Sequence, residues 1–254
     1  MFNILESRIS AVRIIFLLNF ITCLFYLITT GLTVTQLGIV FSIFFMMNCL
    51  GITATYHRYY SHKSYEFKFK FYEKLCMIFA MLSCSGSALG WVGIHRTHHK
   101  YSDTNDDPHQ AAHGLWSMLS LEYNSKFSPK IIADLLKNKF VGITHTYYFV
   151  PVIIYVSVLY FMWGVTGIVI GFSFPAFITL ASEGLTNYIN HADKNEHAPT
   201  NVWWMNFFSF GDGWHKNHHE NPKNYTTSKM WYQFDLTGVV IKYLLARKGS
   251  ICYG

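Results

Sequence analysis

Three short windows carry residues at metal-ligand spacing. H-R-Y-Y-S-H at 57–62, H-R-T-H-H at 95–99 and H-K-N-H-H at 215–219 total 16 residues and hold eight of the 13 histidines of the 254-residue chain, far more than scatter would place there. Imidazole ligates Fe, Zn, Cu and Ni, so residue type alone does not name the metal. In H-x-x-H-H the first histidine is three and four residues from the other two, which a helix presents on one face. His95, His98 and His99 form one such set and His215, His218 and His219 another. His57 and His62, five apart, diverge by about 140° on a regular α-helix; they serve different metals or sit where the helix unwinds. A ninth histidine, His191, follows Asn187 by one turn and Glu183 by two. His191 reads as a ligand, Asn187 as a ligand through water, and Glu183 as a support behind them. Nine imidazoles exceed the needs of one ion. The clusters lack the thiolates of a structural zinc site and the H-E-x-x-H of a zinc protease. Two metals are the natural count, and among the candidates redox-active iron fits best.

Other polar residues are assigned lesser parts. Asp103, Asp106 and Asp107 follow the second window closely enough to accept a ring N–H from a ligating histidine, which would fix its tautomer. Trp91 and Trp214, each beside a window, are candidates to line a substrate path, whereas Tyr and Trp at span ends suit an interfacial belt. His109, His113, His145 and His197 read as helix-end or interfacial residues. The five cysteines, Cys23, Cys49, Cys76, Cys84 and Cys252, show no C-x-x-C spacing and read as small core residues.

The elements that must position these residues are apolar. Hydrophobic residues make up 51% of the chain and charged ones only 13%, about half the usual share for a soluble domain. Uncharged runs long enough to cross a bilayer predict spans at about 14–34, 37–56, 143–163 and 167–187, with turns at Thr35–Gln36 and Gly164–Gly167. A fifth apolar run would put the first two histidine windows on opposite faces if it crossed. It is expected as an interfacial helix at about 74–93. The net charge of +6 does not require nucleic acid, because every Lys and Arg lies at Arg8 and Arg13, between Arg58 and Lys139, or between Lys194 and Lys248. By the positive-inside rule both termini and the histidine windows are cytoplasmic. The expectation is an all-α, multi-pass integral membrane protein: four transmembrane helices and a cytoplasmic helical cap, 57–140 and 188–254, forming one domain over 1–254.

The windows sit in longer stretches that resemble the membrane fatty-acid desaturase family, in its stearoyl-type Δ9 branch. These are H-R-Y-Y-S-H-K-S-Y at 57–65, G-W-V-G-I-H-R-T-H-H-K-Y-S-D-T at 90–104, D-P-H at 107–109, N-Y-I-N-H at 187–191, F-G-D-G-W-H-K-N-H-H-E-N-P at 210–222 and W-Y-Q-F-D-L-T at 231–237. The resemblance runs from about Thr53 to the C-terminus. It implies a diiron site ligated by His57, His62, His95, His98, His99, His191, His215, His218 and His219, with Asn187 holding a metal-bound water. It further implies O2-dependent cis desaturation of an acyl chain threaded between helices, and a separate electron donor of the ferredoxin or cytochrome b5 type. The sequence departs from the family pattern at Gly93 and Ile94, where acyl-CoA members tend to carry Arg and Asp, and at S-M-L-S-L-E-Y, 117–123; both make a lipid- or carrier-linked chain as plausible as CoA. Asp212 stands where Glu is commoner, and Tyr188 and Asn190 replace small residues. A membrane hydroxylase or ketolase with the same iron site is the alternative, and a metal-binding or transport protein a remote one.

Overall fold

The structure is a computed structural model; it describes residues 2–108, 114–119, 127–191 and 198–253, with the side chains of 2–12 and 116–118 outside that description. His109, His113 and His197, and most of the 117–123 stretch, lie outside the described residues. No β-strand forms among the described residues; a single antiparallel bridge joins Phe67 to Ala246.

The chain opens with α1 (Phe2–Thr29) and turns into α2 (Val34–Phe45), which runs on without interruption as a π-helix, Met46–Ser61. The turn precedes the expected Thr35–Gln36, and α1 stops at Thr29 rather than 34. Thr33 and Gln36 explain this, because they form a reciprocal capping box: Gln36 N–H donates to Thr33 Oγ1 (3.2 Å) and Thr33 N–H to Gln36 Oε1 (2.9 Å). Gln36 therefore belongs to the first turn of α2.

The expected single helix over 74–93 is two helices, α3 (Lys70–Leu82) and α4 (Ala88–Tyr101). Cys84 and Gly86 take φ of +61° and +98° between them, and Ser87 caps α4 by accepting from Gly90 N–H. The serines and glycines that interrupt this apolar run are the turn itself. After α5 (Gly114–Leu119), a 3-10 turn at Pro129–Ile132 and α6 (Ala133–Leu136) lead to α7 (Lys139–Thr146). A break at Tyr147 then separates α7 from α8 (Phe149–Ile168), so the expected span at 143–163 begins later, at Phe149.

Gly164 reverses the chain inside α8 with φ +63° and ψ −151°, a conformation that glycine adopts without a Cβ penalty. Beyond it a π-helical turn, Val169–Ser173, leads into α9 (Phe174–Asn190). The two arms lie side by side: Tyr155 OH donates to Gly171 O at 2.9 Å, and Leu159 packs on Gly167 and Gly171. Among the described residues, Val34–Ser61 and Phe149–Asn190 are the two helical stretches able by length and composition to cross a membrane, with Arg13–Thr29 and Leu236–Leu245 as shorter apolar helices. Short elements complete the chain: α10 (Asn206–Ser209) after a 3-10 turn at Trp203–Met205, α11 (His215–Glu220), and α12 (Leu236–Val240) extended by a π turn to Leu245.

The core wraps the π-helix. Ile52, Tyr56 and Tyr60 pack with Met77, Met81, Leu89 and Val92, while Cys49 and Ala54 face Val240, Ile241 and Leu245 of the C-terminal helix. Gly51 lets α3 approach closely, since a Cβ there would lie 2.5 Å from the Ala80 backbone nitrogen.

Candidate metal centre

The π-helix decides where His57 and His62 point. With i→i+5 hydrogen bonding, including His62 N–H to His57 O at 3.2 Å, residues five apart return to one face. The two rings lie 5.0 Å apart, centroid to centroid. The α-helical divergence of 140° therefore does not arise, and both histidines join one group.

Two arginines, each directly following a histidine of its window, bring the other elements to that face. Arg96 on α4 donates to the carbonyls of Tyr60 (2.6 Å) and Ser61 (3.0 Å), which end the π-helix, and pairs with Asp134 at 2.7 Å. Burial alone would raise the Asp134 carboxyl, but Arg96 and Lys63 hold it well below the usual carboxylate range. Arg58, fully buried, donates to Asp235 (2.7 and 3.1 Å), Asp212 (3.0 Å) and Tyr225 O (2.8 Å). It thereby ties the segment flanking α11 to the π-helix. Asp235 also caps α12 through Gly238 N–H.

The nine histidines meet in two groups, His57, His62, His95, His99 and His218 in one and His98, His191, His215 and His219 in the other. Within each group, one ligand atom per residue lies within 4.8 Å of all the rest. Each H-x-x-H-H set is divided: its first and third histidines join one group and the middle one joins the other. Neighbouring Nε2 atoms are 2.9 Å apart for His57–His218, 2.8 Å for His62–His95 and 2.9 Å for His99–His218. In the second group they are 2.9 Å apart for His191–His215, 3.1 Å for His215–His219 and 3.3 Å for His98–His219.

These separations are short enough for one ion to reach several ring nitrogens. With a metal–imidazole distance of about 2.1 Å, two ligand nitrogens at a right angle lie about 3.0 Å apart, and at a tetrahedral angle about 3.4 Å. All six separations are within the range that two imidazole nitrogens bound to one ion would show.

Protonation supports the same reading. His57 Nδ1 donates to Asp212 Oδ2 (3.1 Å), His98 Nδ1 to Asp107 (2.8 and 3.0 Å) and His191 Nδ1 to Asp103 Oδ1 (2.9 Å). A carboxylate fixes the proton on Nδ1, leaving a lone pair on each Nε2. Burial, reinforced by the neighbouring imidazoles, pushes His62, His95, His215 and His218 well below the ordinary imidazole range and lowers His219 likewise. His57, His98 and His191 thus turn Nε2 lone pairs into the two groups, where a cation could accept them. The donor set fits a metal ion in each group. Asp212 is itself held below the usual carboxylate value: burial opposes this, and His57 and Arg58 overcome it.

The remaining sequence candidates fall around this centre. Asn187 is half-buried on α9, one turn before His191. Trp91 stacks on His95 with ring centroids 4.9 Å apart and donates its indole N–H to Glu183 at 2.8 Å; Ser85 also donates to Glu183. Glu183 thus supports Trp91, which in turn lies on a histidine. Trp214 gives its indole N–H to Phe234 O at 3.0 Å. Of the three aspartates after the second window, Asp103 and Asp107 hold histidines and Asp106 is exposed. His145 is buried in α7 with Nδ1 2.7 Å from Ser87 Oγ, apart from both groups. Four of the five cysteines are buried, and all five are free thiols. Sequence reasoning missed Arg58, Arg96, Asp235 and the role of Asp212. A charged residue adjoining an apolar run was the available signal for both arginines.

Comparison with known proteins agrees. The family model described as fatty acid desaturase matches residues 32–249. An sn-1 stearoyl-lipid 9-desaturase of Synechocystis is 30% identical, covering 82% of this chain and 68% of its own. Another of that name from Anabaena variabilis is 28% identical over 94% of this chain and 92% of its own. Acyl-CoA desaturase 1 of Saccharomyces cerevisiae is 31% identical over 79% of this chain and 43% of its own.

Proposed function

The chain belongs to the fatty acid desaturase family, and we propose that its substrate is the acyl chain of a membrane glycerolipid, into which it introduces a Δ9-like cis double bond. The two histidine groups carry this reading. Each would hold one iron: His57, His62, His95, His99 and His218 the first, and His98, His191, His215 and His219 the second, with Asn187 supplying a water-bridged contact one turn from His191. Iron, when bound, supplies the redox chemistry by which O2 and two electrons remove hydrogens from adjacent methylenes. Those electrons come from a separate donor of the ferredoxin or cytochrome b5 type.

The chain's own residues prepare the site. Asp103, Asp107 and Asp212 orient three ligands and hold their Nδ1 protons. Arg58 balances the charge of Asp212 and Asp235 where water is excluded. Trp91, flat against His95 and pinned by Glu183, lines the substrate path and with Trp214 limits which methylenes approach. Selectivity here is positional, since a fixed near-attack geometry rather than acid–base chemistry selects the C–C bond.

Gly93 and Ile94, which depart from the acyl-CoA pattern, favour a lipid-linked chain, as do the two relatives named stearoyl-lipid desaturases. The proposed topology has four crossings: Arg13–Thr29, Val34–Ser61, and the two arms of Phe149–Asn190 on either side of Gly164. The basic residues then put both termini and the metal centre on the cytoplasmic side.

The test is mass spectrometry of fatty acids, separated by lipid class, from cells expressing the chain or its His98→Ala variant. A new monounsaturated acid esterified to glycerolipid, absent with the variant, is expected. Accumulation first in the acyl-CoA pool would refute the lipid assignment. A hydroxy or keto lipid would keep the metal site and replace the reaction.

A further inference from the structure

Between α9 and α11 the chain exposes four large aromatic side chains in six residues. Trp203, Trp204, Phe207 and Phe208 are 65%, 40%, 69% and 48% exposed, and the hydrophobic effect does not leave such a patch facing water without a reason. The same short segment is fastened to both long apolar stretches. Phe208 O accepts from Asn48 Nδ2 (3.0 Å) on the π-helix and from Ser182 Oγ (2.9 Å) on α9. Phe210 packs its ring against Phe41, Phe44 and Phe45, at centroid distances of 6.3, 5.1 and 5.5 Å. Phe41 is itself an outward-facing residue of α2. The aromatic patch therefore continues the outer apolar surface of the spans.

Its depth follows from its neighbours. Leu180, two residues before Ser182, clusters with Phe16 of α1, and Phe16 is three residues from Arg13, where the apolar run of α1 begins. That layer is where apolar side chains give way to charge, the depth at which tryptophan concentrates. Irregular backbone survives there only if its polar groups are satisfied within the protein. Several such groups are: Met205 N–H donates to Val202 O, Phe210 N–H donates to Asn206 O, Phe210 O accepts from Thr237, and Asn206 takes Gly213 N–H.

We propose that Trp203–Phe208 is a membrane-inserted wedge whose aromatic side chains lie in the headgroup–acyl boundary of the leaflet beside the metal centre. The wedge is also tied to the ligand-bearing segment, because Val202 N–H donates to Gly213 O at 2.8 Å and Gly213 is two residues before His215. Insertion thus holds α11 against the bilayer, so that a lipid-linked acyl chain reaches the histidines laterally without leaving the membrane. This consequence rests on the desaturase reading; the insertion does not.

The test uses the full metal-loaded chain in phosphatidylcholine vesicles, with Cys252→Ser removing the one thiol that is not buried. An environment-sensitive fluorophore is attached at Phe207→Cys, at Lys223→Cys as an exposed polar control, and at Ile21→Cys as a lipid-facing control within α1. The label at 207 should emit at shorter wavelength than that at 223. Lipids carrying a nitroxide near the headgroup should quench it more than lipids with a deep nitroxide, and the label at 21 should show the reverse order. A label at 207 that behaves like that at 223 overturns the proposal. A blue shift without lipid quenching also overturns it, assigning the face to a second copy or another protein. The Trp203→Ser, Phe207→Ser double variant should retain its metal and turn over detergent-dispersed substrate normally, while losing most of its rate on lipid in vesicles. If labelling shows insertion but the native chain turns over no lipid, only the desaturase reading fails.

Discussion

Replacing Asp107 by Asn should remove one metal and spare the other. Asp107 is buried, and its carboxylate takes His98 Nδ1 at 2.8 and 3.0 Å and Asp103 N–H at 2.9 Å. Asp103 in turn holds His191. One side chain therefore orients two of the four histidines of the second group and none of the first. Asparagine can still accept from His98 through its carbonyl oxygen. Its amide would then face Asp103 N–H, donor against donor, and the negative charge that strengthens both contacts is lost. Loss of such support costs about 10–100-fold in metal affinity, or about 1.4–2.7 kcal/mol. Iron per chain, measured by mass spectrometry after dialysis against graded chelator, should fall from two to one at a chelator strength that leaves the native protein full, and desaturation should cease with the second iron. Equal loss from both sites, or from neither, would refute the division of the histidines into groups.

Adjacent residues should prove to serve different ions: His99→Ala weakens the first site and His98→Ala the second, distinguishable by spectroscopy of the iron that remains. The metal-free protein should be acid-labile. His62, His95, His215, His218 and His219 bind protons less readily folded than unfolded. Stability present above about pH 6.5 is then lost as pH falls, by up to about 1.4 kcal/mol per unit for each histidine. A metal-free melting midpoint unchanged between pH 7 and 5.5 would contradict this. Arg58→Met leaves Asp212 and Asp235 buried without their cation and should cost about 3–5 kcal/mol; adding Asp235→Asn should recover part of the lost thermal midpoint. Gly51→Ala drives a Cβ into the Ala80 backbone at 2.5 Å. It should destabilise by about 1–3 kcal/mol or more, seen as reduced monodisperse yield, whereas Gly38→Ala, with open space around it, should not.

The histidines were legible because metal ligation concentrates one residue type at fixed spacing, and Asp103 and Asp107 because they follow so closely. For His57 and His62 the spacing left two alternatives, different metals or a departure from the regular helix, and the π-helix of Met46–Ser61 answers to the second. Nothing in M-M-N-C-L-G-I-T-A-T-Y-H-R-Y-Y-S announces i→i+5 bonding; packing of Ile52, Tyr56 and Tyr60 against α3 and α4, and Arg96 on the terminal carbonyls, accompany it. Arg58 and Asp235 lie 177 positions apart, so their pairing leaves no local pattern. The serines and glycines of 83–90 were visible as interruptions, yet hydropathy averages over them and predicted one helix where φ values of +61° and +98° make a turn.

The division of each H-x-x-H-H set has a geometric origin. At about 100° per residue, positions i and i+4 differ by about 40°, while i+3 stands about 60° to the other side of i. A pair at i and i+4 therefore converges on one ion and the residue between them in sequence turns to another. Two such helices, α4 and α11, facing each other give each group histidines from both: His95, His99 and His218 in one, His98, His215 and His219 in the other. The π-helix then completes the first group with His57 and His62, and α9 completes the second with His191. An ion in either group would cross-link the same two short helices, so neither site would keep its geometry if α4 and α11 shifted relative to one another. The buried pairs that fix that shift, Arg96 with Asp134 and Arg58 with Asp212 and Asp235, are accordingly as much a part of the metal centre as the carboxylates that touch the rings.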